Sequence, residues 1–354
     1  MLEETGRFPP PNYGAGNLTY TTQLQPANRF AGIFSMMPLN EAIKIYIDHM
    51  TAEHKSTATI KGYGGALMQF CLYLRNPLIN LVTPDEVVLY FKQRKELGWK
   101  RNSMVVPAMA LRKFFEYWKR KGHPVLDYQM LPVVQKEGTE PRIATQESLE
   151  KVLAQCAGES IYDVRNRAII LMISDTGMRN GELCSMDVDI MDKCEVTEEN
   201  GAKQYSHVIR TEKARSSRHP HRRVFWYEET HAALSKWLEM REEYTHMFPP
   251  RHPEALFIST KDSHGKVGSR MTPFTVGLVL RRLSEKAGIE TVNAHSLRHK
   301  FGADSAENGL NNSNISDLMG HANMTSSFVY THLRGPGLGS AHRKVKPVIN
   351  ESPP

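Results

Sequence analysis

One stretch near the C-terminus, AHSLRHKFGADSAENGLNNSNISDLMGHANMTSSFVYTHL (294–333), holds polar residues whose types and spacing suit the handling of an anion. His295 and Arg298 are three positions apart and share a face if the segment is helical. His321 follows a Met-Gly pair of the kind that ends a helix. Tyr330 stands nine residues further on, in a segment able to be helical. Two histidines, an arginine and a tyrosine could therefore converge on one anionic group. Taken singly each is ordinary: Tyr330, flanked by Phe328 and Val329, reads as a packing residue, and H-x-x-R is common on helices. Only the joint spacing makes a case.

Two more cations join them as candidates. Arg179, in TGMRNGEL (176–183), falls at the start of a helix just past the turn marked by Gly177, where an isolated arginine would ordinarily pair with Glu182. Lys213 is the only lysine of EKARSSRHPHR (212–222), a loop made strongly basic by Arg215, Arg218, Arg222 and the adjoining Arg223. His219 and His221 form an H-x-H pair, but no Cys, Asp or further His stands at ligand spacing, so no metal site is assigned.

The set suits a phosphodiester. Its non-bridging oxygens gain charge on attack, and guanidiniums stay protonated and fork onto phosphate oxygens. A tyrosine hydroxyl, with a reference pKa of about 10, is a weak nucleophile until a base or cation assists it. A departing alkoxide needs a proton, which a lysine can deliver, and a histidine can orient or accept a proton at neutral pH. No carboxylate cluster suited to Mg²⁺ accompanies these groups, so the expected mechanism uses positive side chains where other enzymes use an ion, and no cofactor.

The rest of the chain must supply the elements that position this chemistry. With 354 residues the chain has the length of two domains, and 40% hydrophobic residues is enough for real cores. The net charge of +7 favours an anionic partner. No apolar run approaches the roughly 20 residues that cross a bilayer, and the first residues lack the form of a signal peptide. Cys71, Cys156, Cys184 and Cys194 show no CxxC spacing and read as reduced thiols, in keeping with a cytoplasmic location.

Residues 1–37, rich in Pro, Gly, Asn and Thr, read as a flexible arm. From 38 to 128 four helices are expected: one with Leu39, Ile43, Tyr46, Ile47 and Met50 inward; one capped by Ser56 or Thr57; one opened by Thr83-Pro84-Asp85-Glu86, with Val87, Val88 and Phe91 inward; and one from about Ser103 to Lys121, with Val105, Leu111, Phe115 and Trp118 inward. Lys92, Arg94, Lys95, Lys100, Arg101, Arg112, Lys113, Lys119, Arg120 and Lys121 make this region basic. They form either a solvated face or a surface for a phosphate backbone. Residues 129–142 read as a linker. Beyond it come a helix capped by Thr145, a mostly buried helix over 162–175, a hairpin of Gln204–Thr211 with Arg222–Trp226 and a possible third strand at Val196, and helices at 230–241 and 273–287. The fold class is mainly α with a small antiparallel sheet.

At this point the chain resembles the tyrosine recombinases, the family of phage integrases and the Xer and Cre proteins. TGMRNGEL is similar to the family's first-arginine box, TGxRxxEL; AHSLRHKFGAD (294–304) to its HxLRHxFA box; LMGHANMTSSFVYTHL (318–333) to its LGHxxxxxTxxYxH box; and Lys213 followed by RRVFW to its hairpin lysine. The loop 212–223 departs from the usual GKGxKxR pattern. The resemblance spans roughly residues 38 to 333.

It implies a two-domain DNA clamp: a helical, SAM-like core-binding domain at 38–128 and a catalytic domain at 143–333, with a tail at 334–354 that contacts a neighbouring protomer. It implies that Tyr330 attacks the scissile phosphate to form a 3′-phosphotyrosyl link. Arg179 and Arg298 hold the phosphoryl oxygens, Lys213 is the general acid, His295 the base or relay, and His321 a phosphate ligand, with Glu182 supporting Arg179. Lys92, Arg94, Lys95, Lys100, Arg101, Arg112, Lys113, Lys119, Arg120, Arg215 and Arg218 become DNA-binding candidates. The implied partners are double-stranded DNA recombination sites, two of them held by a homo-tetramer through a Holliday junction, with no membrane and a nucleoid-associated location. Integration, excision or transposition of a mobile element is the expected role. Dimer resolution, a relaxing enzyme of the type IB topoisomerase kind, and a binding-only protein are the alternatives.

Overall fold

The computed structural model describes residues 37–138, 140–211, 220–260 and 266–320. All of the expected arm but Met37, the tail, Lys213, Arg215, Arg218, His321 and Tyr330 lie outside the described residues. The chain divides into two compact units between Thr139 and Glu140.

The first unit is built from four helices: α1 (Leu39–Ala52), α2 (Thr57–Tyr73), α3 (Pro84–Glu96) and α4 (Arg101–Arg120). Local chemistry fixes their starts. Ser56 Oγ accepts from the Thr59 amide, and Thr83 with Glu86 forms a reciprocal capping box ahead of Pro84. Each helix buries one stripe. Leu39, Ala42, Ile43, Tyr46 and Met50 of α1 meet Leu67, Phe70 and Cys71 of α2 and Leu111, Phe114, Phe115 and Trp118 of α4. The rings interlock edge to face, Phe70 on Tyr90 at 5.2 Å and Tyr46 on Phe114 at 5.6 Å, an arrangement worth about 0.5–1.5 kcal/mol per pair beyond burial. On α3 the inward residues are Val87 and Tyr90, while Val88, expected inside, is 50% exposed. The 3.6-residue period explains this: Tyr90 lies one turn from Val87, whereas Val88 is rotated away by about 100°. In the stretch read as linker, Leu131 is buried and its carbonyl accepts from Arg112, while the Glu137 amide donates to Asn102.

The second unit is organised on α6 (Ile161–Thr176), buried on nearly all sides from Val164 to Ile173. Before it comes α5 (Gln146–Ala154), capped by Thr145; after it come the short helices α7 (Asn180–Cys184) and α8 (Ile190–Lys193). Strands β1 (Glu195–Glu199), β2 (Ala202–Arg210) and β3 (His221–Tyr227) form an antiparallel sheet in the order β1-β2-β3. Asn200 and Gly201, both at positive φ, make the β1–β2 turn, the Asn-Gly signature of a tight hairpin. In β2–β3, Val208 pairs with Arg223 and Arg210 with His221. Along β3 the side chains alternate, so Arg222, Val224 and Trp226 face inward. Then follow α9 (Glu228–Met247), packed on α6, and α10 (Pro273–Lys286), α11 (Ala294–Glu307) and α12 (Asn312–Met319). Among the described residues no helix is long and apolar enough to cross a membrane.

Candidate active site

The site grows from two left-handed glycines. Gly177 ends α6 at φ 56°, and Gly320 ends α12 at φ 62°. At both positions a β-carbon would collide as well as strain the backbone: it would lie 2.3 Å from the Phe301 ring at Gly177 and 2.6 Å from Arg222 Cδ at Gly320. The chain therefore turns sharply where two polar segments must approach each other.

Just past Gly177, Arg179 stands at the entry to α7. Glu182 holds it twice: Oε2 accepts from the Arg179 amide and Oε1 from Nη1, both at 2.9 Å. Arg179 Nη2 donates to the Gly320 carbonyl at 2.8 Å, leaving other N–H donors of this partly exposed guanidinium for an anion. Arg298, on α11 and only 3% exposed, donates from Nη1 to the Gly177 carbonyl at 2.5 Å and from Nη2 to the Met319 carbonyl at 2.6 Å. Arg222, reaching in from β3, donates from Nη1 to the Leu318 carbonyl and from Nη2 to Glu182 Oε2 at 2.9 Å.

The carbonyls of Leu318, Met319 and Gly320 thus each accept from a different arginine. A helix leaves its last carbonyls unpaired and carries partial negative charge there, so three guanidiniums suit the end of α12. Against them stands one buried carboxylate. Burial alone would raise the Glu182 carboxyl, but Arg222, the Arg179 amide and the Arg179 guanidinium outweigh it and hold it below the usual carboxylate value. Three cations against one anion leave the cluster net positive, as a phosphate group requires.

His295, the second residue of α11, is exposed and meets His299 edge to face at 4.2 Å. Burial, then the nearby His295 and Arg298, pushes His299 down to about 4, so it is neutral near pH 7. The structure thus brings Arg179, Glu182 and Arg298 together at the end of α12, with His295 one turn before Arg298 on α11. The sequence reading counted Arg222 only toward the charge of a loop and passed over His299. The alternation of Arg222, Val224 and Trp226 was the available signal for the former.

The basic residues of the first unit are not alike. Arg94 stacks on Tyr90 and Trp99 at 4.8 and 5.2 Å, and Arg112 donates to the Leu131 carbonyl at 2.6 Å. Arg101 pairs with Glu137, Lys113 and Arg120 with Glu116, and Lys119 with Asp127. Among the described residues no ion pair occupies Lys92, Lys95 or Lys100, and all three are exposed.

Residues 142–335 match the phage integrase family, and residues 43–122 match the phage integrase N-terminal SAM-like domain. The chain belongs to the phage integrase family; it is a tyrosine recombinase, an enzyme that breaks and rejoins DNA. It is 25% identical to tyrosine recombinase XerC of Haemophilus influenzae over 86% of this chain and 97% of that one. It is also 25% identical to tyrosine recombinase XerA of Thermococcus onnurineus, over 88% and 97%. Among solved structures, the XerH recombinase in a post-cleavage complex with palindromic difH shares the fold at a TM-score of 0.61 and 21% identity, over 86% of this chain and 84% of that one. The Tn1549 transposon integrase bound to transposon right-end DNA does so at 0.60 and 19%, over 86% and 100%.

Proposed function

We propose that this chain recombines DNA at specific sites through a 3′-phosphotyrosyl intermediate, without metal or ATP. Tyr330 Oη attacks the scissile phosphorus, and its proton passes to His295. The bond from phosphorus to the 5′-oxygen breaks, and that oxygen takes a proton from Lys213. Arg179 and Arg298 neutralise the charge gained by the non-bridging oxygens, and His321 donates a further hydrogen bond. A 5′-hydroxyl from a second strand then attacks the phosphotyrosine in the reverse sense. One phosphodiester is exchanged for another, so no ATP is needed.

The observation that carries this reading is the gathering of Arg179 and Arg298 on the carbonyls of Gly320 and Met319, one and two residues before His321. Two sites on DNA, held by four copies of the chain, supply the strands. The near-full-length likeness to XerC and XerA supports resolution of chromosome or plasmid dimers as the physiological role. The sequence feature that favours a mobile element is the N-terminal arm, of which only Met37 is among the described residues.

Strand exchange between two duplexes carrying the element's or chromosome's own sites, run with and without EDTA, is the test. Joined products at equal rates in both conditions are expected. Relaxation of supercoils without exchange, or products lost with EDTA, would contradict the proposal.

A further inference from the structure

We propose that Arg222 is a positioning residue of this site. By occupying the second carboxylate oxygen of Glu182, it keeps Arg179 available to the phosphate and raises the net positive charge of the cluster. The proposal rests on the reading of Arg179 and Arg298 as the phosphate clamp.

Glu182 is shared between two guanidiniums. Its Oε1 takes Arg179 Nη1, and its Oε2 takes Arg222 Nη2, each at 2.9 Å. Arginine and carboxylate prefer a two-pronged pairing in which both oxygens face one guanidinium. With Arg222 and the Arg179 amide both on Oε2 that pairing is blocked, and Arg179 gives Glu182 only one side-chain N–H. With Arg222 removed, both Glu182 oxygens can turn to the Arg179 guanidinium, and the net charge of the cluster falls by one. The carboxylate then competes directly with a phosphate for the same donors.

Arg222 is also 7% exposed, and its Nε is buried without an acceptor among the described residues. Its neighbours on the inner face of β3, Val224 and Trp226, are uncharged and fill their places mainly with apolar atoms. A buried ion pair is seldom more stabilising than apolar side chains of similar volume. A strand-to-helix tether alone therefore does not call for a guanidinium here, whereas charge balance beside Arg179 does. Only arginine meets the geometry, because one planar group must reach Glu182 and the Leu318 carbonyl together. Gly320 belongs to the same arrangement, since a β-carbon there would displace the Arg222 stem.

The test compares strand cleavage by full-length wild type, Arg222→Met, Arg222→Lys and Tyr330→Phe on two substrates. One carries the natural scissile phosphate. The other carries a methylphosphonate there, in which a methyl group replaces one non-bridging oxygen and removes its charge. If Arg222 acts through the charge and freedom of Arg179, Arg222→Met loses about 100-fold in cleavage rate on phosphate and less than about 10-fold on methylphosphonate. Arg222→Lys, which keeps the charge but not the fork, shows the same selectivity with a smaller loss. It carries the test alone if the methionine variant does not fold. Equal losses on both substrates, or no loss on phosphate, overturn the proposal. The Tyr330→Phe arm separates the two levels. An adduct that survives it overturns the nucleophile assignment. Equal losses by the Arg222 variants, with the adduct absent in Tyr330→Phe, overturn the role of Arg222 alone.

Discussion

Arg298 is a charge taken almost wholly out of water, and such a charge is tolerated only where acceptors are already in place. Here they are backbone carbonyls of Gly177 and Met319, groups that the turns after α6 and α12 would otherwise leave unpaired. Both partners gain, and the guanidinium is fixed before any substrate arrives, as electrostatic preorganisation requires. The neighbouring His299 is held neutral by burial and by His295 and Arg298, and that carries a consequence for stability. Its folded value of about 4 lies below the ordinary histidine value of about 6.5. Between those values the unfolded chain binds a proton that the folded chain does not, so acid favours unfolding. Stability from this residue is complete above about pH 6.5 and is lost as pH falls toward 4. Chemical denaturation across that window should show a steeper fall for wild type than for His299→Gln; identical slopes would remove His299 as a cause.

The elements were legible in the sequence wherever one or two residues decide them. Thr83 with Glu86, Ser56, Thr145, Gly177 and Gly320 all start or stop helices as their types suggest, because capping depends only on near neighbours. Tyr90 in place of Val88 and the inward Arg222 were not read, because each depends on which face meets a distant partner. Gly177 is the element-scale test. Alanine there must adopt φ 56° with its β-carbon in the Phe301 ring, so Gly177→Ala should destabilise by more than about 1 kcal/mol and slow cleavage by displacing the carbonyl that holds Arg298. A variant with unchanged thermal midpoint and unchanged cleavage would show that the turn is not needed.

For the whole molecule, the net charge of +7 announced an anionic partner but could not say which cations face it. The structure narrows the choice. Arg94 and Arg112 are committed to a ring stack and a carbonyl, whereas Lys92, Lys95 and Lys100 are exposed and without ion pairs among the described residues. Exposed pairs such as Lys119 with Asp127 are screened by solvent, contribute little and yield easily to a phosphate. If Lys92, Lys95 and Lys100 each contact a phosphate, replacing all three with glutamine should flatten the slope of log affinity against log salt by about 3. An unchanged slope would return them to a solvated face. Of the C-terminal motif, His295 and Arg298 were legible as a pair, because a spacing of three puts them on one side of a helix. Arg179, a candidate from the sequence, meets the end of α12 through the Gly320 carbonyl immediately before His321.

In the proposed reaction Tyr330 becomes bonded to DNA. Full-length protein incubated with a nicked suicide substrate carrying its site should form a covalent protein–DNA adduct, and Tyr330→Phe should bind the same DNA with similar affinity and form none. An adduct that persists in Tyr330→Phe at the wild-type rate would contradict the account.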